Sequence, residues 1–254
     1  MSEANAGRGK PHLKGFPLRV VLDGNSEIKQ PSSGYRYSLD PFILADFISE
    51  KRVTRAIDLG TGNGILALLA HTLYPEAFFM GIDIQREPLA YAKENFAGIA
   101  KSVFVRADIR QANKLVKPNS FDLAMSNPPY RKADSGRINP AREKAIARHE
   151  ITLTLDELAA AASHSLKDGG VFYVVHLAER SAELLHTLKI HSLSPKKIRF
   201  VHSREDEDAF LVLVAAVKKG KNPVTVKPPL TVYKGSGGYS DEMKRIYKRF
   251  GHED

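Results

Sequence analysis

The sequence predicts an α/β fold: a doubly wound, mostly parallel, seven-stranded sheet with an antiparallel last strand. Short apolar runs alternate with longer segments of helical periodicity, an order typical of a parallel sheet with helices on both faces. Polar residues and glycines cluster where successive strands end. Only the polar stretch 203–208 separates the last two strands, which favours an antiparallel pair.

The predicted elements follow in order along the chain. Apolar, β-branched and aromatic runs predict strands at 54–59, 77–84, 101–106, 121–126, 171–177, 197–202 and 209–217. Helical periodicity predicts helices at 64–74, 87–98, 155–167 and 179–190. The run Lys167-Asp168-Gly169-Gly170 is typical of a helix stop and a turn into the next strand. Ser240 predicts the start of a last, short helix.

A glycine-rich turn follows the first strand. Asp58 precedes Gly60, Gly62 and Gly64, and alternate glycines let the backbone bend sharply and approach a ligand closely. This is not the dinucleotide-binding pattern, because Ile65 occupies the place of its third glycine. A carboxylate directly before the turn is poorly placed for a pyrophosphate. Asp58 therefore predicts a cationic ligand.

Two further strands end in acidic residues. Asp83 closes the second strand, at the position that binds ribose hydroxyls in nucleotide-binding α/β folds. Asp108 follows the third strand, where a carboxylate can accept a hydrogen bond from an adenine amino group. A single aspartate at such a position is more often a helix N-cap. Because the carboxyl ends of parallel strands line one crevice, their coincidence instead predicts a nucleoside site.

The stretch Asn127-Pro128-Pro129-Tyr130 ends the fourth strand. Two prolines stop the strand ladder and leave carbonyl groups without competing N–H donors. An amide side chain, two carbonyls and an aromatic ring suit the binding of a planar group that bears an NH2, held against a bound cofactor. Taken alone, the stretch is equally compatible with an ordinary strand-ending turn.

These motifs resemble those of the class I S-adenosylmethionine-dependent methyltransferases and, within them, the Asn-Pro-Pro-Tyr amino methyltransferases. The resemblance covers residues 35–217 and implies a Rossmann-like fold with S-adenosyl-L-methionine as cofactor. The cofactor-binding residues that it implies are Tyr37, Asp58, Gly60, Gly62, Asn63, Gly64, Asp83, Ile84, Asp108, Ile109 and Asn127. It also implies that the Asn127 side-chain oxygen and the Pro128 carbonyl accept both N–H groups of the acceptor amine, and that Tyr130 stacks on the base.

The acceptor of the methyl group is implied by a closer resemblance. Enzymes with this motif methylate adenine N6 in nucleic acids or a glutamine side chain in release factors. From about residue 13 onward the chain resembles the tRNA1(Val) adenine-37 N6-methyltransferase family, through 127–132, 139–140, 147–150 and 229–233. This implies an adenine in RNA, in a tRNA anticodon loop. Two alternatives stay open: a protein glutamine N5-methyltransferase, and a non-catalytic nucleic-acid-binding module on a methyltransferase fold.

The charge of the chain favours a nucleic-acid partner. The formal net charge is +9 and the pI is about 9.6. Basic residues cluster at 131–148, directly after the Asn-Pro-Pro-Tyr motif, and again at 218–249. Clustered basic charge is typical of nucleic-acid binding, with a solvated surface as the alternative for either segment alone. The predicted RNA-binding residues of the first segment are Arg131, Lys132, Arg137, Arg142 and Lys144.

Composition excludes several classes of function. The 254 residues contain no cysteine, which excludes disulfides, cysteine-ligated zinc and a cysteine nucleophile. His149-Glu150 does not continue into the zinc-protease pattern, because Leu153 stands where the second histidine would be, and we expect no metal. No apolar run approaches the roughly 20 residues of a membrane span. We therefore expect a cytoplasmic protein without a membrane partner.

The domain organisation is predicted to be simple. We expect a partly flexible N-terminal segment at 1–34, a methyltransferase domain at 35–217 and a basic C-terminal extension at 218–254 packed on the same domain. The stretch 35–42 resembles the segment that covers the cofactor in the family, although a simple packing element is equally compatible with it.

Overall fold

A sheet with helices on both faces forms the centre of the molecule. The computed structural model describes residues 28–29, 39–129, 153–221, 223–235 and 237–251. The strands are β1 (Arg55–Leu59), β2 (Phe78–Asp83), β3 (Ser102–Arg106), β4 (Phe121–Ser126), β5 (Leu166–Leu177), β6 (Leu193–His202), β7 (Ala209–Lys218), β8 (Thr225–Val226) and β9 (Leu230–Thr231). The helices are α1 (Asp40–Phe47), α2 (Ile65–Leu73), α3 (Arg86–Asn95), α4 (Ala112–Leu115), α5 (Leu155–Ser165), α6 (Ser181–Ile190) and α7 (Asp241–Arg249), with 3-10 turns at Ile109–Gln111 and Ala178–Arg180.

The strand order confirms the predicted topology. Within the described ranges, the main sheet runs β3-β2-β1-β4-β5-β7-β6. The pairs among β1 to β5 are parallel, whereas β7 is antiparallel to both β5 and β6. Strand β6 therefore points in the same direction as β5. The prediction of seven strands omitted β8 and β9, which pair in parallel with β6 and extend its edge.

Two apolar cores lie on opposite faces of the sheet, as a doubly wound fold requires. Successive side chains of β1 alternate between them, because a strand has a period of two. Ala56 joins the core that also contains buried residues of α1, α2, α3 and α7. Ile57 and Leu59 join the second core, with α4, α5 and α6.

The boundaries of β5 and β6 differ from the predicted ones. Strand β5 begins at Leu166, directly after α5, rather than at Val171. Its pairing with β4 shifts register between Phe121↔Leu166 and Leu123↔Val171, so the predicted turn is an irregularity within the strand. Gly169 has φ +81°, a conformation that glycine adopts without strain. Strand β6 likewise begins earlier than predicted, at Leu193.

The last helix forms as predicted and packs on α1. The Ser240 side chain accepts a hydrogen bond from Met243 N at 3.1 Å, which caps the first turn of α7. Met243, Ile246 and Tyr247 are buried. The rings of Tyr247 and Phe42 meet edge to face with centroids 5.3 Å apart. The exact domain boundaries stay a prediction. In the part of the chain described here, no helix has the length and apolar character needed to cross a bilayer.

Candidate active site

The predicted site residues that the structure describes lie at the carboxyl edge of the parallel strands. In the sheet, Asp58 of β1 is paired in register with Gly81 of β2 on one side and with Met125 of β4 on the other. Asp83, at the end of β2, is level with Arg106 at the end of β3. Asp58, Asp83, Asp108 and Asn127 therefore border one crevice across four adjacent strands, the usual position of a ligand in an open α/β sheet.

The glycine turn is held in a fixed conformation. Gly60, Gly62 and Gly64 have φ values of +80°, +54° and +80°, where an L side chain is strained. The N–H groups of Gly60 and Thr61 donate to the Ile82 carbonyl at 2.9 and 3.0 Å. A Cβ added at Gly64 would lie 3.1 Å from the Ala92 Cβ. The close contact between this turn and α3 thus depends on glycine. The absence of side chains at these positions also leaves the backbone of the turn accessible to a ligand.

Asp58 is a buried carboxylate with one unused oxygen. It is 1% exposed, and its Oδ2 accepts a hydrogen bond from Thr61 Oγ1 at 2.8 Å. Asp58 Oδ1 has no hydrogen-bond partner among the described residues. Burial raises the pKa of Asp58 to about 7, with added repulsion from Asp83, whereas the hydrogen bond from Thr61 and the nearby backbone N–H of Ala67 lower it. A buried oxygen of this kind fits a cationic or donor group of a ligand, and the role of Asp58 in binding such a ligand stays a prediction.

Asp83 is oriented by two backbone groups. Its Oδ2 accepts from Gly62 N and its Oδ1 from Gln85 N, both at 2.8 Å. A carboxylate offers about four acceptor positions, so two remain for a ligand. Burial raises the pKa of Asp83 despite these hydrogen bonds. The next residue, Ile84, is 41% exposed, an apolar surface beside the carboxylate. This arrangement suits a ribose with an adjacent base.

Asp108 is already engaged within the protein. Its carboxylate accepts from Arg110 Nε at 2.9 and 3.0 Å, from Arg110 Nη2, and from Arg110 N at 2.9 Å. The hydrogen bonds from Arg110 lower the pKa of Asp108. Ile109 is nearly buried, and its Cδ1 lies 3.8 Å from the position of a Cβ on Gly60. A ligand that bonds Asp108 must therefore share it with Arg110.

The end of β4 is tied to the end of β1. Ser126 is fully buried, and its hydroxyl donates to the Leu59 carbonyl at 2.6 Å. This bond places Asn127, which is half-buried, beside the start of the glycine turn. Pro128 is buried and Pro129 is exposed, so the chain leaves the sheet at this point.

Several predicted residues lie outside the described part of the chain. They are Tyr37, Tyr130, Arg131, Lys132, Arg137, Arg142, Lys144 and His149. Their predicted roles stay predictions. Among the described residues, no group of three or more His, Cys, Asp or Glu side chains could hold a metal ion.

Sequence reasoning missed five residues that shape the site. Thr61 and Ser126 supply the buried hydrogen bonds to Asp58 and Leu59 described above, and Arg110 holds Asp108.

Asn95 donates to the Asn63 carbonyl at 2.9 Å and so anchors the glycine turn to α3. A Cβ on Gly81 would lie 2.4 Å from the Phe104 ring, so glycine makes room for that ring. Only Ser126, a polar residue within an apolar strand, carries a signal that sequence reasoning could have used.

The C-terminal basic segment divides into engaged and outward-facing charges. Lys218 Nζ donates to Asn119 Oδ1 and to the carbonyls of Ser163 and Leu166 at 2.6–2.9 Å. Three further cations form ion pairs, Lys219 with Asp168, Lys234 with Asp241 and Arg249 with Asp46. In contrast, Lys244, Arg245 and Lys248 lie exposed on the outer face of α7, without an ion pair to the described residues. Only part of the predicted basic cluster thus remains available to a polyanion.

Comparison with known proteins identifies the family. A sequence model described as "Methyltransferase domain" matches residues 50–230. A tRNA1(Val) (adenine(37)-N6)-methyltransferase from Pedobacter heparinus is 24% identical over 224 residues, which are 88% of this chain and 94% of that protein. The enzyme of the same name from Porphyromonas gingivalis is 27% identical over 248 residues, covering 92% of this chain and 96% of the relative.

Solved structures agree on the fold. A predicted O-methyltransferase from Agrobacterium tumefaciens superposes with a TM-score of 0.66 at 20% identity, covering 84% of this chain and 98% of its own. A precorrin-6y C5,15-methyltransferase from Geobacter metallireducens gives a TM-score of 0.55 at 12% identity, covering 80% of this chain and all of its own. At these identities the likeness shows a common fold and no more.

Proposed function

The chain belongs to the methyltransferase domain family, and from this premise we propose that it transfers a methyl group from S-adenosylmethionine to the exocyclic N6 amine of an adenine in RNA. The proposed acceptor is an adenine of a tRNA anticodon loop, and the relatives from Pedobacter and Porphyromonas are named for adenine 37 of tRNA1(Val). Such a substrate implies a cytoplasmic location. One observation carries the proposal: β4 ends in Asn127-Pro128-Pro129, held by Ser126 beside the glycine turn and Asp58.

The crevice residues fit the proposed cofactor. Asp83 would accept from the ribose hydroxyls, Ile84 and Ile109 would contact the adenine, and Asp58 would face the cationic end of the ligand. Asp58 Oδ1, which is buried and has no hydrogen-bond partner among the described residues, is the strongest point of this fit, because an unsatisfied buried carboxylate oxygen is costly. When bound, S-adenosylmethionine supplies an electrophilic methyl group.

The proposed role of Asn127 and Pro128 follows from the chemistry of the acceptor. The lone pair of an adenine amine is conjugated with the ring, so the nitrogen is a weak nucleophile. Two acceptors that bond both N–H groups favour a pyramidal nitrogen and free the lone pair. The Asn127 side-chain oxygen and the Pro128 carbonyl are these acceptors in our proposal. Preorganised polar groups of this kind account for much of the rate enhancement in many enzymes.

The direct test is a search for the methylated product. The protein is incubated with S-adenosylmethionine and unmodified bulk tRNA, and in parallel with a release factor, and the digested products are analysed by mass spectrometry. We expect N6-methyladenosine in the tRNA alone. Methylated glutamine in the release factor alone would favour the glutamine alternative, and calorimetry without any binding of S-adenosylmethionine would favour the non-catalytic one.

Cofactor affinity should depend on Asp83. We expect Asp83→Ala to weaken binding of S-adenosylmethionine at least about tenfold, because hydrogen bonds to a charged group contribute roughly 1.5–3 kcal/mol. Titration calorimetry measures the change. Glu87→Ala, which removes an exposed carboxylate from the first turn of α3, is the matched control and should bind normally. An unchanged dissociation constant in Asp83→Ala would remove Asp83 from the site.

RNA affinity should depend on the outward face of α7. We expect neutralising Lys244, Arg245 and Lys248 to glutamine to weaken tRNA binding and to lower its salt dependence by about one unit for each phosphate that the protein no longer neutralises. Filter binding over a series of salt concentrations measures this slope. On sequence grounds the same is expected more strongly for Arg131, Lys132 and Arg137, which follow the Asn-Pro-Pro-Tyr motif directly.

A matched triple variant controls for the loss of net charge. Lys51, Arg52 and Lys117 are exposed, form no ion pair with the described residues and lie shortly before β1 and β4, at the amino edge of the sheet and so opposite the crevice. Their replacement by glutamine removes the same charge, and the salt slope should stay close to that of the wild type. Equal slopes for both triple variants would make the face of α7 an ordinary solvated surface.

A further inference from the structure

The C-terminal extension carries a second group of residues to the edge where the crevice lies. Strand β6 points in the same direction as β4 and β5, so its carboxyl end at His202 faces the same edge. Beyond β9 the ladder continues, with Val232 N donating to the His202 carbonyl and Tyr233 N to the Ser203 carbonyl, both at 2.9 Å. Tyr233 is thus fixed by backbone bonds at this edge.

Tyr233 is the last ring in a row of aromatic side chains. Phe42 meets Tyr247 at 5.3 Å, and Tyr247 meets Tyr239 at 5.0 Å, in both cases edge to face. Tyr239 then stacks on Tyr233 with centroids 5.4 Å apart and an interplanar angle of 15°. Among the described residues the row of rings ends there, and Tyr233 is only half-buried. Its position is set by the row behind it, so its conformational freedom is already restricted before a ligand binds.

A cavity of about 710 Å³ opens beside Tyr233. Its lining includes two cations, two carboxylates and two hydroxyls, which are those of Arg204, Lys234, Glu205, Asp206, Thr231 and Ser240. The volume lies within the range of about 300–1,000 Å³ that is typical of small-molecule sites.

The cations of this cavity are partly compensated. Lys234 is paired with Asp241 at 2.7 Å, and Arg204 donates to the Gly235 carbonyl at 3.1 Å. The cavity therefore does not resemble a cluster of free cations around a phosphate. A ring with polar edges, stacked on Tyr233 and bonded at its rim, matches this lining better.

From these contacts we infer that the cavity beside Tyr233 binds a second nucleobase of the RNA strand whose adenine is methylated at Asn127. The inference rests on the proposed function, because it requires a single-stranded RNA segment at this edge. Strand β9, which leads into Tyr233, lies four inter-strand spacings from β4, about 19 Å in all. A few nucleotides of an unpaired strand span this distance, so one loop can occupy both sites.

The test uses three variants and an unmodified tRNA1(Val) transcript. Tyr233→Leu removes the stacking ring but keeps an apolar side chain, whereas Tyr233→Phe keeps the ring. Gly235→Leu fills the cavity from a second position, where an added Cβ meets no atom of the described residues within 4 Å and φ lies outside the left-handed region. We expect the leucine variants to bind the transcript about tenfold more weakly and Tyr233→Phe to bind it normally, since base–aromatic stacking is prevented only in the former. Cofactor affinity should not change in any of the three. Thermal stability should fall only in Tyr233→Leu, which loses the stack on Tyr239, so Gly235→Leu separates RNA binding from that loss.

A fluorescent base locates the contact. 2-Aminopurine is placed singly at positions within about four nucleotides of adenine 37. Stacking on Tyr233 should quench one of these positions in the wild type and in Tyr233→Phe, but not in Tyr233→Leu. The inference would be wrong, and the proposed function would stand, if the wild type methylates the transcript while the leucine variants bind it equally well and quench the base to the same degree. Wild-type protein that neither binds nor methylates RNA would overturn the proposed function as well.

Discussion

Replacing Asn127 with alanine should reduce turnover about a hundredfold or more while leaving affinity for S-adenosylmethionine within about threefold of the wild type. The amide oxygen is proposed to act mainly as the acceptor nitrogen becomes pyramidal, so its loss raises the barrier more than it weakens ground-state binding. Removal of one preorganised polar group from an active site typically costs a factor of about 10²–10³ in kcat. Single-turnover kinetics on the unmodified substrate tRNA measures the loss of turnover, and calorimetry measures the affinity for the cofactor.

The control for this variant is an asparagine outside the crevice. Asn113 lies exposed in α4, and Asn113→Ala should leave both turnover and cofactor binding unchanged. Near-normal turnover in Asn127→Ala would contradict the proposed mechanism, because no other described side chain at the end of β4 offers a half-buried amide acceptor.

The fold, and the common position of Asp58, Asp83 and Asn127 at one edge of the sheet, could be predicted because they depend on local patterns. Apolar strands that end in Asp58, Asp83 and Asn127 mark both the sheet and its carboxyl edge, and a parallel sheet then forces these residues together. The glycine turn also carries its own signal, since positive φ angles require residues such as Gly60 and Gly64.

The remainder depends on contacts between distant parts of the chain. Strands β8 and β9 have two residues each, too few for any periodicity, and form only because β6 offers them an edge. Ser126 bonds a carbonyl 67 residues away, and Asn95 bonds one 32 residues away. Apart from the polar character of Ser126 within an apolar strand, such pairings leave no pattern along a single sequence.

The ionisation of Asp58 links the pH dependence of stability with the proposed binding of the cofactor. The pKa of its carboxyl is about 7 in the folded protein, against 3.8 for the ordinary group, because it is buried. Between these two values the folded state holds a proton that the unfolded state has released. The contribution of Asp58 to stability is therefore complete below about pH 4 and is lost as the pH rises through 7. Above that pH, the folded protein carries a buried charge that the hydrogen bond from Thr61 compensates only in part.

Asp58→Asn should therefore affect stability and binding in opposite directions. Asparagine resembles the protonated acid at every pH. The free energy of unfolding of the variant minus that of the wild type should therefore rise by about 3 kcal/mol from pH 5 to pH 8, at 1.36 kcal/mol per pKa unit. Urea denaturation at the two pH values measures this difference. Affinity for S-adenosylmethionine should fall at least about tenfold, because the variant has no charged acceptor to face the cationic end of the ligand.

Two further measurements separate this account from a merely structural role of Asp58. Asp208→Asn removes an exposed carboxylate from the loop between β6 and β7 and should leave cofactor affinity unchanged. In the wild type at pH 6, where Asp58 is mostly protonated, cofactor binding should release up to one proton, because the cationic ligand favours the ionised carboxylate. Calorimetry in buffers of different ionisation enthalpy measures this release, and Asp58→Asn should abolish it. If Asp58→Asn is no more stable than the wild type at pH 8 and binds the cofactor as tightly, then Asp58 does not contact the cofactor and its charge has no role in binding.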